Sequence, residues 1–271
     1  LAISLESMNS LDALTVVLEG LRTIDADERG LIASVDLAIC RFLEGDFAEC
    51  EQFLLAASRI HDESSSKYLN AQVYQEYLQS ILLWRKRNDS HIHKKDTDRM
   101  LYIVGDSHSL VSHHMRVKRL GEYYFGSTKL IKGCMQWNLG NLDKNQYKYN
   151  FENTLTALPN SSEVLLSVGE IDCRLDSGII DHKNKFPEKD IKTIILSTVE
   201  NYLTYVCNVN SLLNHEIFIQ GVPCPNINTT KHTKGNVMQL IEVIDIFNSV
   251  LKMKSKERGF GFLDLHSLTN R

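Results

Sequence analysis

The sequence predicts an α/β protein in which a small all-α domain of helical hairpins precedes a three-layer domain with a parallel sheet. The first 88 residues repeat apolar residues at helical spacing and contain no proline, since the first proline is Pro159. From residue 100 onward, short apolar runs alternate with helical stretches, which is typical of a parallel sheet with crossover helices. The charge also changes: residues 1–90 carry 8 Lys and Arg against 15 Asp and Glu, and residues 91–271 carry 22 against 19.

The all-α part is predicted to occupy residues 1–88. Apolar periodicity places helices over Leu11–Leu21, over Leu31–Leu43, from Phe47 onward after a Gly45-Asp46 turn, and over Tyr68–Trp84. The Ser64-Ser65-Ser66 run is predicted to cap the last of these helices.

The segment RFLEGDFAECEQFLLAASRI (Arg41–Ile60) resembles a tetratricopeptide repeat, with two helices joined by a Gly-Asp turn. The resemblance covers about one and a half repeats. It implies either a surface that binds a protein partner or a helical bundle that packs on the second domain, and both interpretations stay open.

A polar stretch without periodicity, residues 86–99, predicts a linker, which we place at residues 89–99. The α/β domain then spans residues 100–271. Its strands are predicted at Met100–Val104, Lys129–Ile131, Val164–Val168, Glu216–Ile219 and Gly261–Leu263, and its helices at His108–Leu120, Lys189–Leu213 and Val237–Glu257.

Composition excludes several classes of function. No apolar run approaches the roughly 20 residues that span a bilayer, and no signal peptide is visible. Six scattered cysteines favour reduced thiols, so we expect a cytoplasmic protein. Because no long apolar run is present, we also expect no membrane partner. The net charge of −4 and the lack of a basic stripe argue against nucleic acid. No glycine-rich nucleotide loop or zinc spacing is present, so we expect no cofactor and no metal.

The most informative segment is LYIVGDSHSL, Leu101 to Leu110. A buried strand is predicted to end at Gly105-Asp106-Ser107, where a helix begins. This places Ser107 at the carboxyl end of the first strand, where open α/β sheets bind ligands. The alternative is that Asp106 or Ser107 only caps the helix.

Four segments, in order, are similar to the SGNH/GDSL hydrolase family. They are GDSHS after the first strand, LIKGCMQWNLGN (Leu130–Asn141), LLSVGEIDCR (Leu165–Arg174) and VIDIFNSVLKMKSKERGFGFLDL (Val243–Leu265). The resemblance spans about residues 100–271. It implies that Ser107 is the nucleophile and that the backbone N–H groups of Ser107 and Gly133 donate to the oxyanion, with no cofactor.

Two departures from the family pattern bear on activity. The third-block asparagine, a side-chain oxyanion donor in the family, falls on Ile171, which cannot donate. Arg174 is one residue that would compensate, and Asp172 would orient the loop by accepting backbone N–H bonds or else be a solvated carboxylate.

The base is the second departure, because the family ends in Asp-x-x-His and this chain offers Asp264-Leu265-His266. On a strand, Asp264 and His266 would face the same side and could act together. The alternative alignment places FLDL in the last strand and the base beyond Arg271.

The resemblance implies a serine esterase, or an O-acyl transferase or deacylase, whose substrate is a small-molecule or glycan ester. The alternative is an inert ligand-binding module of the same fold, with the helical domain recruiting a protein. A third interpretation is a binuclear metallophosphoesterase, which Asp106-Ser107-His108 and Asn214-His215-Glu216 resemble.

Overall fold

The computed structural model describes residues 28–61, 69–88, 94–119, 121–227 and 232–269. The chain folds as two compact units. One unit takes the described residues within Leu1–Asp96 and His114–Val117, and the other takes those within Thr97–His113 and Lys118–Arg271. We call them the helical unit and the sheet unit. Within the described residues, no helix is both long enough and apolar enough to cross a membrane.

The helical unit contains α1 (Glu28–Glu44), α2 (Phe47–His61) and α3 (Leu69–Arg87). The α1–α2 turn depends on Gly45, whose φ of +85° is unfavourable for other residues. Asp46 then caps α2, since its Oδ1 accepts the N–H of Glu49 at 2.9 Å. The predictions for these three helices are confirmed, whereas the predicted helix Leu11–Leu21 and the Ser64–Ser66 cap lie outside the described residues. The core of this unit includes Leu31, Leu37, Phe42, Leu54 and Leu78, all fully buried.

The sheet unit is a mixed α/β structure built on a six-stranded, mostly parallel sheet. The strand order is β2-β3-β1-β4-β5-β6, and the pairs β1–β3, β1–β4, β4–β5 and β5–β6 are parallel. The strands are β1 (Arg99–Gly105), β2 (Arg116–Arg119), β3 (Glu122–Leu130), β4 (Glu163–Ser167), β5 (Glu216–Gln220) and β6 (Gly261–Leu263). All five predicted strands are confirmed, although β3 begins seven residues earlier than predicted, at Glu122 rather than Lys129.

The helices of the sheet unit include two long ones that were predicted. Helix α7 covers most of the predicted Lys189–Leu213, and α8 covers the predicted Val237–Glu257 and starts three residues earlier. The helices are α4 (Gln136–Gly140), α5 (Gln146–Thr156), α6 (Gly178–Lys185), α7 (Ile191–Asn210), α8 (Lys234–Glu257) and α9 (Leu265–Thr269), with 3-10 helices at Ser107–Ser112 and Ile171–Cys173.

The predicted helix His108–Leu120 is wrong. Only a 3-10 helix, Ser107–Ser112, forms there, and the chain is extended at His113 (φ −68°, ψ 130°) before it enters β2. The cause is tethering to β3, because the Thr128 N–H donates to His113 Nδ1 at 3.1 Å and the Thr128 hydroxyl donates to the Ser109 carbonyl at 2.9 Å. These tertiary bonds outweigh the local helical pattern.

One apolar cluster joins the central strands to α7 and α8. Val104, Leu166 and Ile219 contribute from β1, β4 and β5, and side chains such as Tyr202 and Phe247 contribute from the two helices. Burying one such aliphatic side chain stabilises the fold by roughly 1.5–3 kcal/mol. Because these strands are parallel, their carboxyl ends meet at one edge, and the loops that leave this edge carry the candidate site.

Candidate active site

Ser107 lies directly beyond the carboxyl end of β1, as the sequence predicts. The strand ends at Gly105, where a side chain would overlap the carbonyl oxygen of Ser167 on β4, so only glycine fits. Asp106 caps the 3-10 helix, since its Oδ1 accepts the His108 N–H at 2.9 Å. The half-buried Ser107 hydroxyl makes no hydrogen bond to any residue that the structure describes. Asp106 is therefore the residue that caps the 3-10 helix, and the Ser107 hydroxyl stays partly exposed.

His108 is held by two carboxylates. Its Nδ1 lies 3.1 Å from Asp106 Oδ1 and 3.7 Å from Glu170 Oε2. Burial of the ring opposes protonation, but the hydrogen bond to Asp106 and the charges of Asp106 and Glu170 outweigh this, so the pKa of His108 is raised above its usual 6.5. Glu170 is in turn fixed by Arg174, whose Nη2 lies 2.7 Å from its Oε2.

Asp106 is the most enclosed member of this group, with 1% of its surface exposed. Its Oδ1 bonds to His108, whereas its Oδ2 has no hydrogen-bond partner among the described residues. A buried carboxylate oxygen without a donor is costly, and such sites cluster at functional positions.

A cavity of about 560 Å³ opens beside His108. Its polar lining includes His108, Glu170, Arg174, Asp176 and His232, and its remaining walls are largely apolar. The apolar walls come from the segment after β5, residues 222–227, and from Leu240 and Ile244 of α8. A concave, mostly apolar site with a few convergent polar groups has the usual form of a ligand pocket.

Gly133 follows β3 at the same edge, with a left-handed φ of +70°. A Cβ there would lie 3.5 Å from the Tyr147 hydroxyl, which is ordinary contact, so the conformation rather than the space favours glycine.

Asp172 ties the Gly133 loop to the loop after β4. The side chain is completely buried, and its two oxygens accept the N–H groups of Gln136 at 2.8 Å and Trp137 at 2.9 Å. Gln136 adds a bond from Nε2 to the Val168 carbonyl at 2.8 Å. Burial raises the pKa of Asp172 to about 7. The carboxylate therefore faces the backbone of the loop, with Ile171 beside it at the start of a 3-10 helix.

Asp264 and His266 are not brought together on a strand, and that part of the prediction is wrong because β6 ends at Leu263 and His266 lies on α9. Asp264 binds Lys252 Nζ at 2.7 Å, whereas His266 Nε2 lies 3.4 Å from Asp245 Oδ1. The Lys252 hydrogen bond holds the pKa of Asp264 below its usual value. Neither side chain hydrogen bonds to Ser107.

The resemblance to a metallophosphoesterase fails on topology. His215 lies at the amino end of β5, where its buried Nδ1 accepts the Ser162 N–H at 3.1 Å, whereas Asp106 and His108 lie beyond the carboxyl end of β1. Parallel strands place these two ends at opposite edges of the sheet. Among the residues described, no group of three or more His, Cys, Asp or Glu side chains is arranged to hold a metal ion.

The Asp106–His108–Glu170 group was not predicted from the sequence. Two signals in the sequence bear on it. Asp106 and His108 have the i, i+2 spacing of a cap that bonds the second residue of a turn, and Glu170 and Arg174 have the i, i+4 spacing of an ion pair. Neither signal shows that the two segments meet, because they are more than 60 residues apart.

Comparisons with known proteins add little to this geometry. No protein-family model matches the chain. No curated protein matches it either. Among solved structures, it is similar to the crystal structure of phospholipase A1 from Streptomyces albidoflavus NA297, at 14% sequence identity and a TM-score of 0.36, over 63% of this chain and 80% of that one. A likeness at this level carries no conclusion about activity.

Proposed function

We propose that the chain is an SGNH-like serine esterase, or an O-acyl transferase or deacylase, that acts on an ester of a small molecule or a glycan. The observation that carries this proposal is the placement of Ser107. Its hydroxyl is half-buried beyond the carboxyl end of a central strand, and the next residue, His108, lines a 560 Å³ cavity. The three-layer SGNH-like fold is part of the same proposal.

In this mechanism the Ser107 Oγ attacks the acyl carbonyl and loses its proton to a histidine. The tetrahedral intermediate collapses as the alcohol leaves with that proton, and water or an acceptor alcohol then releases the acyl group by the reverse sequence. The N–H groups of Ser107 and Gly133 stabilise the oxyanion. Ile171 supplies no third donor, and the loss of one such donor lowers the rate by about 100–1000-fold. Arg174 lines the cavity, and we propose that it contacts the substrate there.

The histidine that takes the proton has two candidates. His108 is favoured because Asp106 and Glu170 orient its ring and because it lines the cavity. His266 with Asp264 is the assignment that the family resemblance implies, and the structure gives these two residues separate partners, Asp245 and Lys252. Asp172 acts through Gly133 as a positioning residue.

Hydrolysis of p-nitrophenyl acetate tests the proposal and separates the candidates. Ser107→Ala should abolish the rate. Loss of activity in His108→Gln with activity kept in His266→Gln assigns the base to His108, and the reverse pattern assigns it to His266. If both histidine variants keep the wild-type rate of hydrolysis while Ser107→Ala loses it, the base is another residue. A rate that Ser107→Ala leaves unchanged contradicts the serine mechanism.

The second candidate function is a ligand-binding module without turnover, joined to a helical unit that recruits a protein. Two observations favour it: no histidine hydrogen bonds to Ser107 among the described residues, and Ile171 occupies the third-block position. This candidate predicts no ester hydrolysis by the wild type under any condition in which the chain is folded.

A further inference from the structure

Trp137 is an exposed aromatic side chain on a firmly held backbone. The backbone N–H of Trp137 donates to the Asp172 carboxylate at 2.9 Å, and the backbone N–H of the preceding residue, Gln136, donates to the same carboxylate. Its side chain nevertheless leaves 43% of its surface exposed. A rigid, exposed tryptophan presents a large amphipathic surface without the entropy cost of ordering a loop, which is favourable for binding.

This side chain lines two cavities. One of about 200 Å³ and one of about 160 Å³ are both lined by Trp137 and by Thr198 of α7. The smaller cavity is also lined by Asn141 and Asn201, and no charged side chain among the described residues lines it. The larger is lined by Asp181 and Lys185, which form an ion pair at 2.7 Å, and also by the buried Asp172 and by His182. Both cavities offer hydrogen-bonding groups beside an aromatic face, and within the described part of the chain the smaller one is lined by no charged side chain.

The aromatic surface continues beyond Trp137. The His182 ring packs against the indole with centroids 5.5 Å apart, and the Phe186 ring packs against His182 at 4.7 Å. Phe186 is itself 42% exposed. Each ring thus packs on the next, and Lys189 Nζ lies 4.6 Å from the centroid of the Phe186 ring.

We propose that Trp137 is the centre of a glycan-binding subsite that takes a neutral sugar chain. A sugar ring presents C–H groups on its faces, which pack on aromatic rings, and hydroxyls at its edge, which bond to amides and hydroxyls such as Asn141, Asn201 and Thr198. From the residues that the structure describes, the smaller cavity offers no charged side chain to a strongly anionic or cationic ligand, and an acyl chain there leaves the polar groups unpaired.

The subsite deepens the proposed function, on which it rests, by naming the substrate as a neutral glycan ester. Helix α4 carries Trp137 and begins three residues after Gly133, the proposed oxyanion donor. A sugar chain bound at Trp137 therefore contacts the same segment of chain whose Gly133 N–H is proposed to bind the reacting ester.

The chain's two tryptophans provide a matched pair of variants. Trp84, on α3 of the helical unit, is 45% exposed, close to the 43% of Trp137. In Trp84→Phe, all tryptophan emission comes from Trp137, and we expect a saturable change when neutral oligosaccharides (the hexamers of α-1,4-glucose, β-1,4-glucose, β-1,4-xylose and N-acetylglucosamine) are titrated to millimolar concentration. Trp137→Phe, which keeps Trp84, should show no change.

Affinity electrophoresis through gels that contain the matching soluble polysaccharide gives a readout independent of fluorescence. Trp137→Ala should weaken retardation by about tenfold in affinity, whereas Trp84→Ala should leave it unchanged. The subsite is contradicted if no neutral oligosaccharide changes the emission of Trp84→Phe, if only charged sugars do, or if Trp137→Ala binds as wild type. Ser107→Ala should bind the sugar normally, so loss of turnover without loss of binding separates the serine mechanism from the subsite.

Discussion

Replacing Asp172 with asparagine should remove a large pH dependence from the stability of the sheet unit. The carboxyl is completely buried and its pKa rises from 3.8 to about 7 on folding. Between these values the folded state holds a proton that the unfolded state has lost, so wild-type stability falls as pH rises. A shift of about three pKa units corresponds to about 4 kcal/mol at 1.36 kcal/mol per unit.

Asparagine keeps the size of Asp172 but carries no charge, so its contribution does not vary with pH. Its amide oxygen can accept one N–H, from Gln136 or Trp137, and its NH₂ group leaves the other N–H unpaired, which costs about 1–3 kcal/mol at every pH. The predicted signature is therefore a slope: relative to wild type, Asp172→Asn gains about 1.4 kcal/mol per pH unit from about pH 4 to about pH 7.

Urea denaturation at a series of pH values measures this slope. Both proteins should carry Trp84→Phe, so that Trp137, whose N–H bonds to Asp172, reports the unfolding of the sheet unit. All other residues are the same in the two proteins, so the difference in unfolding free energy reports the substitution at residue 172. A difference in unfolding free energy that stays flat from pH 4 to pH 7, or that falls, would refute the reasoning.

Three further predictions concern the edge of the sheet and the chain between the units. Gly105→Ala should destabilise the fold by several kcal/mol, because the added Cβ overlaps the Ser167 carbonyl oxygen; thermal unfolding close to wild type would contradict this. Limited proteolysis should cut first within residues 86–99, as expected for a linker between domains at 1–88 and 100–271, and cleavage spread through both units would count against that division. If His108 is the base, esterase activity should rise with pH through a pKa above 6.5, since only the neutral ring accepts a proton, and Asp106→Asn should move that midpoint downward.

The architecture was largely predictable because the local patterns and the tertiary structure agree. The apolar run that becomes β4 is fully buried, and the run that becomes β1 is buried over its last three residues. Gly105-Asp106-Ser107 ends a strand for reasons that the sequence contains, namely a glycine that fits and a capping carboxylate. The segment from His108 failed because its structure is decided by bonds to Thr128 on β3, and a local pattern contains no information on such partners.

The candidate site was predictable only in part, for the same reason. Ser107 and Gly133 follow strands, so their positions derive from the strand assignments. The contact between His108 and Glu170 depends on how two distant loops meet. Likewise, the burial of Asp172 is set by the helix that follows Gly133, and a sequence does not show that a carboxylate is enclosed.

The central claim is that Ser107 is a nucleophile, and covalent labelling with a fluorophosphonate tests it most directly. The reagent phosphonylates an activated serine, and mass spectrometry of the digested protein locates the adduct. Ser112, at the other end of the same 3-10 helix and also half-buried, provides the matched control. We predict an adduct on the peptide that contains Ser107, kept in Ser112→Ala and lost in Ser107→Ala. A folded wild-type chain that stays unlabelled, or an adduct that survives Ser107→Ala, would contradict the claim.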